Sequence, residues 1–461
     1  MNRKTVFAFG AFVLLSVIAF VALRAPEKGE RRGDKPRPMV QIHAADYDTL
    51  AVTRNKQTTV LHREAGKFTV TSPVNYAADE NAAKAAFEAV EKLDFGDVVT
   101  DQKAKQGEFE VGDDGLRIAA KKGETVLGEL IIGKSLGAGT MVRVPGKDEI
   151  WQANGSIRFT FDKSDTDWRD KSIITFNAAD ATKIDIKSKT GGTIELTKAD
   201  KKDKPAGAND EWTVATSSVP IPKLDTTAAG SMISALASWK TNDFGDNVKP
   251  EVSALNDPAL TITVSLKDGK KVTALIGNKK TDDEFYVKNG TSPQVFVVKK
   301  WAVEHINKRP IDFRDKTICD LASADLTEIA VSNADKSYTL TKAGDAWKAV
   351  KPAKLEVDSS KVAPFAGGLK DWKATSFSEV TDPKATGLVK PKVIAAKSKA
   401  NAKGGACTIK IGDETKDKQS YYAQTGKSAD VYLVPKWTVD RFLVKPDDLK
   451  KGASPSPHAS N

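Results

Sequence analysis

Alternation of apolar and polar residues recurs along this chain and predicts half-buried β-strands. It opens three similar stretches: "ADYDTLAV" at 45–52, "ADATKIDI" at 179–186 and "ADLTEIAV" at 324–331. A second strand-like stretch with one aromatic residue follows in each case: Phe68, Trp212 and Trp347. The chain therefore begins the same series of elements three times.

Helical spacing replaces the alternation at one place in each series. An aspartate suited to cap a helix precedes each of these places: Asp79, Asp225 and Asp358. Apolar residues fall at the fourth, seventh, eleventh and fourteenth positions after it: Ala83, Ala86, Val90 and Leu93; Ala229, Met232, Leu236 and Trp239; Val362, Phe365, Leu369 and Trp372. This spacing predicts one buried face on each helix.

Each series continues with short strands and closes on a short amphipathic helix. The strands run through "LIIGK", "ALIGN" and "IKIGD", and "KWAVEHI" at 300–306 is an example of the closing helix. Residues 290–316 align with 426–452 without a gap, and Trp301 aligns with Trp437. The predicted fold class is α+β: a transmembrane helix, then three tandem repeats of a mixed α+β domain, each with an antiparallel meander sheet and one packed helix.

The predicted domain limits follow from these repeats: 1–24, cytoplasmic tip and transmembrane signal anchor; 25–40, linker; 41–174, 175–318 and 319–451, repeat domains; 452–461, disordered tail. The phrases "DWRDKSI" at 167–173 and "DFRDKTI" at 312–318 end the first two repeats. We expect these phrases to act as a hinge or seam. Trp168 or Phe313 would insert into the neighbouring domain, with Arg and Asp side chains at the rim.

Residues 5–23 carry no charge and follow Arg3 and Lys4. A helix of this length crosses a hydrocarbon core of about 30 Å. A cleaved signal peptide is the alternative, but no small-x-small site ends the run. An uncleaved anchor is favoured. Basic residues on both sides of the span leave its orientation open in the positive-inside count.

Charge and composition narrow the possible partners. The chain has 461 residues and a net charge of +10, with both signs interspersed as on a solvated surface, so we expect no nucleic-acid partner. Cys319 and Cys407 lack metal-ligand spacing, and they either stay buried as thiols or pair if the fold brings them together. The histidines show no i, i+4 spacing, which predicts no histidine metal site: His43, His62, His305 and His458.

Several motifs resemble catalytic signatures without their context. "GELIIGKS" at 128–135 matches a phosphate-loop pattern, but its middle residues are strand-like and no helix follows. The carboxylate pairs at 113–114 and 282–283 lie in predicted surface loops. We therefore predict no catalytic, cofactor-binding or metal-binding residue, no cofactor and no enzyme activity.

The repeats together resemble the domain-of-unknown-function 4340 family over residues 41–451, most specifically in "YYAQTGKSADVYLVPKWTVDRFL" at 421–443. The first repeat departs from the pattern, with Met141 and Val142 in place of a tyrosine pair. The resemblance implies bacterial envelope proteins, often encoded beside gliding-motility-type ABC transporter components. It implies no catalytic residues.

The expected function is that of a non-enzymatic, membrane-anchored scaffold or accessory protein, associated with an ABC-type transporter or envelope assembly. The expected location is the bacterial inner membrane, with a single pass at 5–23 and the bulk of the chain periplasmic; a small-molecule ligand is unknown. An envelope glycan- or lipid-binding module is the alternative, favoured if Tyr421, Tyr286 or Trp437 lie together on one face. A remote alternative is an enzyme, which would need a polar cleft in one repeat alone.

Overall fold

The computed structural model describes residues 42–198, 212–334, 336–400, 405–426 and 428–452. The chain divides into two compact units, with the boundary between Ser172 and Ile173. The predicted anchor, the linker and nearly all of the predicted tail lie outside the described residues. Within the described ranges, no helix has the length and apolar character needed to cross a bilayer.

The first unit contains a nine-stranded antiparallel sheet: β1 (Thr49–Arg54), β2 (Gln57–Glu64), β3 (Lys67–Ser72), β4 (Tyr76–Ala77), β5 (Phe95–Thr100), β6 (Leu116–Lys122), β7 (Thr125–Leu136), β8 (Gly139–Arg143) and β9 (Ile150–Asn154). The strand order is β4-β3-β2-β1-β6-β7-β8-β9-β5. Strands β1 to β3 therefore form one meander and β6 to β9 a second one, joined where β1 pairs with β6.

The second unit begins with a sheet of eight strands: β11 (Ala181–Ser188), β12 (Gly192–Lys198), β13 (Trp212–Ser217), β15 (Asp243–Phe244), β16 (Leu260–Leu266), β17 (Lys271–Thr281), β18 (Glu284–Asn289) and β19 (Val295–Lys299). Their order is β13-β12-β11-β16-β17-β18-β19-β15, the same connection scheme as in the first sheet. A small separate pair joins β10 (Ser172–Thr175) to β14 (Ser238–Lys240).

The same unit also holds the third sheet: β21 (Leu326–Ser332), β22 (Tyr338–Ala343), β23 (Ala346–Lys351), β25 (Ser376–Phe377), β26 (Lys392–Ser398), β27 (Ala406–Glu414), β28 (Ser420–Thr425) and β29 (Tyr432–Pro435). The order is again the same, β23-β22-β21-β26-β27-β28-β29-β25, and β20 (Thr317–Cys319) pairs with β24 (Trp372–Lys373). The α+β class and the repeated sheet domains are confirmed. The exact domain limits stay a prediction.

Within the described residues, seven α-helices connect these strands: α1 (Glu80–Glu91), α2 (Arg158–Phe161), α3 (Thr226–Ala237), α4 (Pro250–Ser253), α5 (Lys300–Ile306), α6 (Ser359–Gly367) and α7 (Lys436–Asp440). Short 3₁₀ segments occupy further turns: Lys103–Lys105, Asp165–Asp167, Ala178–Asp180, Pro310–Phe313 and Pro446–Leu449. Helices α1, α3 and α6 hold corresponding places in the three repeats, and α2, α5 and α7 each follow the last long strand of a repeat.

The predicted helix caps are confirmed. The side chains of Asp79, Asp225 and Asp358 each accept a hydrogen bond from a backbone amide in the first turn of α1, α3 and α6. The helices end sooner than predicted, because the fourteenth-position residues lie beyond them. Trp239 and Trp372 fall in β14 and β24 and are still buried there.

The longest strand of each sheet carries a glycine where a loop crosses it closely: Gly133 in β7, Gly277 in β17 and Gly412 in β27. A Cβ at these positions would lie 2.0 to 2.2 Å from a carbonyl oxygen of the loop: Phe109, Ser253 and Thr386, respectively. The pairing register with the next strand also shifts there. Each glycine therefore marks a bulge that any side chain would obstruct.

The phrase that ends each repeat pairs with the segment before the main helix of the same repeat. The amide of Asp79 donates to the carbonyl oxygen of Trp168 at 2.8 Å, and the amide of Asp170 donates to that of Ala77 at 2.9 Å. The same two bonds recur at 2.7 to 3.3 Å in the other repeats: Asp225 to Phe313 and Asp315 to Lys223; Asp358 to Leu449 and Lys451 to Glu356. The phrase thus closes its own repeat.

The expected insertion of Trp168 into a neighbouring domain is therefore wrong. Trp168 is fully buried in the core of its own repeat, in one cluster with Leu50 and Phe87. In the second copy, Arg314 makes the contact with the following repeat. Its Nη1 donates to Oδ1 of Asp430 at 3.1 Å, and its guanidinium carbon lies 4.7 Å from the ring centroid of Phe377.

The two cysteines form a disulfide between β20 and β27, with Cα atoms 5.7 Å apart and a sequence separation of 88. Cys319 directly follows the closing phrase of the second repeat and is buried. The bond therefore ties the segment that enters the third repeat to the sheet of that repeat.

The close loop crossing predicts a large cost for a side chain at Gly277. We expect Gly277→Ala to lower the free energy of unfolding by about 1–3 kcal/mol, because the loop carbonyl must shift. Gly230→Ala in α3 is the control: nothing lies within 4 Å of its added Cβ, and alanine favours helix by about 0.5–1 kcal/mol. Urea unfolding of the purified proteins measures both; equal effects would refute the steric account.

The disulfide predicts a specific sensitivity of the third repeat to reduction. Joint replacement Cys319→Ser and Cys407→Ser should lower the free energy of unfolding by about 2–5 kcal/mol, because the bond restricts a long loop of the unfolded chain. Dithiothreitol should lower the wild-type stability by a similar amount and leave the double variant unchanged. A reduced wild type, verified by thiol titration, with unaltered stability would contradict this expectation.

Candidate functional site

One large aromatic side chain stands in solvent at the same place in every repeat. Phe159, Trp301 and Trp437 are each the second residue of the short helix that follows the last long strand, namely α2, α5 and α7. Their exposures are 81%, 59% and 72%. We refer to each of these short helices, with the basic residue that follows the aromatic one by four positions, as a corner.

Each corner aromatic has a basic partner four residues later, one helical turn away. Lys163 Nζ lies 5.0 Å from the ring centroid of Phe159. The rings of Trp301 and His305 have centroids 5.9 Å apart. The guanidinium carbon of Arg441 lies 5.7 Å from the ring centroid of Trp437.

The corners share a six-residue pattern of basic, aromatic, two spacers, acidic and basic residues: "RFTFDK" at 158–163, "KWAVEH" at 300–305 and "KWTVDR" at 436–441. The acidic residue pairs with the first basic one, at 3.4 to 3.7 Å in the first two corners and 3.1 Å in the third. Among the described residues, the second basic side chain forms no ion pair. Each corner therefore offers an exposed ring beside a basic side chain that has no acidic partner among the described residues.

The local fold explains why these rings face outward. The spacer residues and the next turn supply the buried side of each helix: Phe161; Ala302, Val303 and Ile306; Thr438 and Val439. With the buried positions on that side, the second helical residue must lie on the opposite one. The aromatic residue is thus placed in solvent by the same packing that holds the helix down.

A polar cluster fixes the third corner to its sheet. The hydroxyl of Tyr421 donates to Oδ1 of Asp440 at 2.8 Å, and Lys436 Nζ donates to the tyrosine oxygen at 3.0 Å. Lys436 also bonds Glu414 at 2.5 Å. Burial raises the pKa of Tyr421 to about 12, so the hydroxyl keeps its proton at neutral pH. A neutral, fully bonded tyrosine here stabilises the position of α7.

The aromatic face considered from the sequence does not form. Tyr421 and Tyr286 are buried, at 4% and 8% exposure, and only Trp437 of the three is exposed. Phe159 and Trp301 were not predicted as surface aromatics. The aligned Trp301 and Trp437, both on the solvent side of a short amphipathic helix, were the signal that could have identified them.

A polar cleft of about 420 Å³ lies in the first repeat, between Arg54 of β1, the loop at 107–116 and α2. Four of its five charged lining residues bind one another: Arg54 Nε donates to Asp162 Oδ1 at 2.5 Å, and Arg158 Nη1 donates to Glu110 Oε2 at 2.7 Å. The Arg54 hydrogen bond lowers the pKa of Asp162 below its usual range. Among the described residues that line the cleft, there is no serine, cysteine or histidine.

The motifs that resembled catalytic signatures have structural roles. Residues 128–135 all fall within β7, with Gly133 at the loop crossing. Asp113 accepts a hydrogen bond at 2.5 Å from Arg143, a buried arginine that also donates to the carbonyl of Val111. Asp282 and Asp283 face lysines at 4.0 and 3.9 Å on the surface. In the part of the chain that the structure covers, no three His, Cys, Asp or Glu side chains gather as metal ligands would.

These sheets and corners define an α+β repeat protein built mostly of antiparallel strands. The chain belongs to the family described as domain of unknown function DUF4340, which matches residues 69–258 and 251–391. The stretch at 421–443, which carried the most specific part of the resemblance, lies outside both matched ranges. No curated protein matches this chain.

Solved structures give only remote likenesses. One is assigned as a DNA polymerase III beta subunit from Eubacterium rectale, with 9% identity, a TM-score of 0.14, and coverage of 86% of this chain and 92% of that one. Another is the DNA polymerase III subunit beta from Pseudomonas aeruginosa, with 8% identity, a TM-score of 0.12, and coverage of 86% and 94%. At these TM-scores the likeness carries no argument about fold or function.

The buried Tyr421 predicts a loss of stability at high pH. Below pH 10 the hydroxyl is protonated in both the folded and the unfolded chain, so its stabilisation is fully present. As the pH rises from about 10 to 12, the unfolded chain ionises first, and stability falls by up to about 2 kcal/mol. Tyr421→Phe should reduce this fall but not abolish it, because burial also raises the pKa of Tyr338.

Urea midpoints of the second unit, measured at intervals from pH 9 to pH 12, test this expectation. Tyr422→Phe, at the next residue of β28, is the matched control and should retain the wild-type slope. An identical slope for Tyr421→Phe and the wild type would refute the role assigned to the buried hydroxyl.

Proposed function

We propose that this protein is a non-enzymatic, membrane-anchored extracytoplasmic scaffold or accessory protein, associated with an ABC-type transporter or an envelope assembly. The observation that carries the proposal is the threefold repetition of one sheet domain with the same exposed corner. Tandem copies of one surface multiply weak contacts through effective concentration. A catalytic site, in contrast, gathers different polar groups in one cleft.

The residues of the cleft in the first repeat are better explained by a structural role than by a catalytic one. A polar cleft in one repeat is the feature that the enzyme alternative requires. Arg54, Arg158, Glu110 and Asp162, however, satisfy each other in ion pairs. These pairs hold α2 and the loop at 107–116 against the sheet, and this accounts for the residue types present.

The disulfide supports the periplasmic side of the proposal. Disulfides persist in oxidising compartments such as the bacterial periplasm and are rare in the cytosol. Cys319 and Cys407 form such a bond, and no free cysteine remains in the chain. Together with the predicted anchor at 5–23, this favours a single-pass inner-membrane protein with its repeats outside the cytoplasm. The transporter association rests on the family resemblance.

Affinity purification of the full-length protein, tagged at residues 452–461, tests the proposal. We expect ABC-type transporter subunits to co-purify in fixed proportion from gently solubilised membranes, as identified by mass spectrometry. The control replaces residues 5–23 by an unrelated apolar segment of equal length, and recovery should persist, because the repeats carry the contact. Recovery of lipid or glycan alone would refute the scaffold proposal.

A further inference from the structure

We infer that the corners bind the headgroup layer of an anionic bilayer and hold the repeats at the membrane surface. This inference rests on the membrane anchor of the proposed function, but it names an occupant that the proposed function does not. The three corners, each an exposed ring beside a basic side chain without an acidic partner among the described residues, carry it.

The chemistry of each corner matches the interface between lipid and water. Tryptophan and other amphipathic aromatic side chains prefer the headgroup level of a bilayer. Basic side chains are attracted to anionic lipids, each strengthening binding by about fivefold near the surface. The second and third corners combine a tryptophan with nearby Lys and Arg residues, so the indole can enter the headgroup layer while a basic group meets a phosphate; the phenylalanine of the first corner adds apolar contact.

Basic residues outnumber acidic ones at the second and third corners and the turns after them. Residues 300–309 carry Glu304 against Lys300, Lys308 and Arg309, and residues 436–445 carry Asp440 against Lys436, Arg441 and Lys445. The first corner differs, because residues 158–167 carry Asp162, Asp165 and Asp167 against Arg158 and Lys163. In each corner helix the acid at the fifth position is paired with the first basic residue. Charge complementarity therefore favours an anionic surface at the second and third corners.

The length of chain before the first repeat places a bilayer within reach. Residues 25–40 follow the apolar segment directly, and a chain of this length spans at most about 55 Å. The first described residue, Ile42, comes two positions later. A connection this short raises the effective concentration of the bilayer at the repeats, which favours occupation of a weak surface contact.

A protein pocket is the competing occupant, and the surroundings of the rings favour the bilayer over it. Protein hot spots lie at the centre of large, well-packed interfaces. On the described part of each corner helix, the aromatic residue is the only exposed large hydrophobic side chain. A single ring beside a basic side chain suits shallow insertion among headgroups better than the centre of an apolar interface.

The protein carries its own reporters for this contact. Six of its eight tryptophans are buried, at 7% exposure or less: Trp151, Trp168, Trp212, Trp239, Trp347 and Trp372. Trp301 and Trp437 are the exposed ones. Quenching of tryptophan fluorescence by lipids that carry bromine near the headgroup therefore reports on these two corners alone.

The test uses the full-length protein reconstituted in vesicles of brominated phosphatidylcholine, with and without phosphatidylglycerol. We expect quenching in the anionic vesicles, and several-fold weaker quenching in phosphatidylcholine alone or at about 1 M NaCl, where the screening length is about 3 Å. Joint replacement Trp301→Phe and Trp437→Phe should abolish it, because only buried indoles remain. With Trp437→Phe alone, the added change His305→Glu should weaken the quenching of Trp301.

An indole placed elsewhere gives the matched control. Val389 is 59% exposed and lies outside the corners, so Val389→Trp in the double Phe background should remain unquenched. Equal quenching at Val389, equal quenching in neutral and anionic vesicles, or no quenching at all would each overturn the inference. The purification of transporter subunits is a separate readout: its failure refutes the scaffold, while lipid quenching can still stand.

Discussion

Two backbone hydrogen bonds at the end of each repeat are the constraint on which the remaining structure depends. They join the closing phrase to the residues just before the capped helix, as between Asp79 and Trp168. Since both partners are backbone groups, the pairing tolerates a tryptophan, a phenylalanine or a leucine at the carbonyl position. The pairing brings the end of each repeat back to its own helix. The core of one repeat is then closed before the next repeat begins. The side chain that follows the paired residue remains available for other contacts. Arg314 uses that freedom to reach Asp430 and Phe377 of the next repeat.

Much of this fold could be predicted from the sequence because its signals are local. Strand alternation, the capping aspartates at 79, 225 and 358, and the recurrence of the whole series are all visible in the chain itself. The segment that pairs with the closing phrase could not be predicted, because a seven-residue phrase does not show which repeat it pairs with. Trp168 was expected to insert into a neighbour for that reason. Burial of an aromatic residue can be predicted from a pattern, but the core that receives it depends on a long-range backbone pairing.

The sequence showed the aromatic positions of two corners but not their exposure to solvent. The alignment of Trp301 with Trp437 showed that both positions keep an aromatic residue, and a large aromatic suggests core before surface. Whether the ring is buried depends on which side of a one-turn helix faces the sheet. A helix as short as α2, at four residues, has too few positions for a periodic pattern to decide this. Tyr421 was a candidate for an exposed aromatic face, whereas it lies below the surface, where three polar partners satisfy its hydroxyl.

What differs among the repeats helps to separate stability from binding. The disulfide belongs to the third repeat, whereas the polar cleft lies in the first, where arginine–carboxylate pairs fasten α2. The disulfide and the arginine–carboxylate pairs each stabilise one repeat locally. Phe159, Trp301 and Trp437 are mostly exposed, so burial in a core does not explain why a ring occupies the same place in all three repeats. This recurrence at an exposed position is the reason to assign the rings a contact outside the chain.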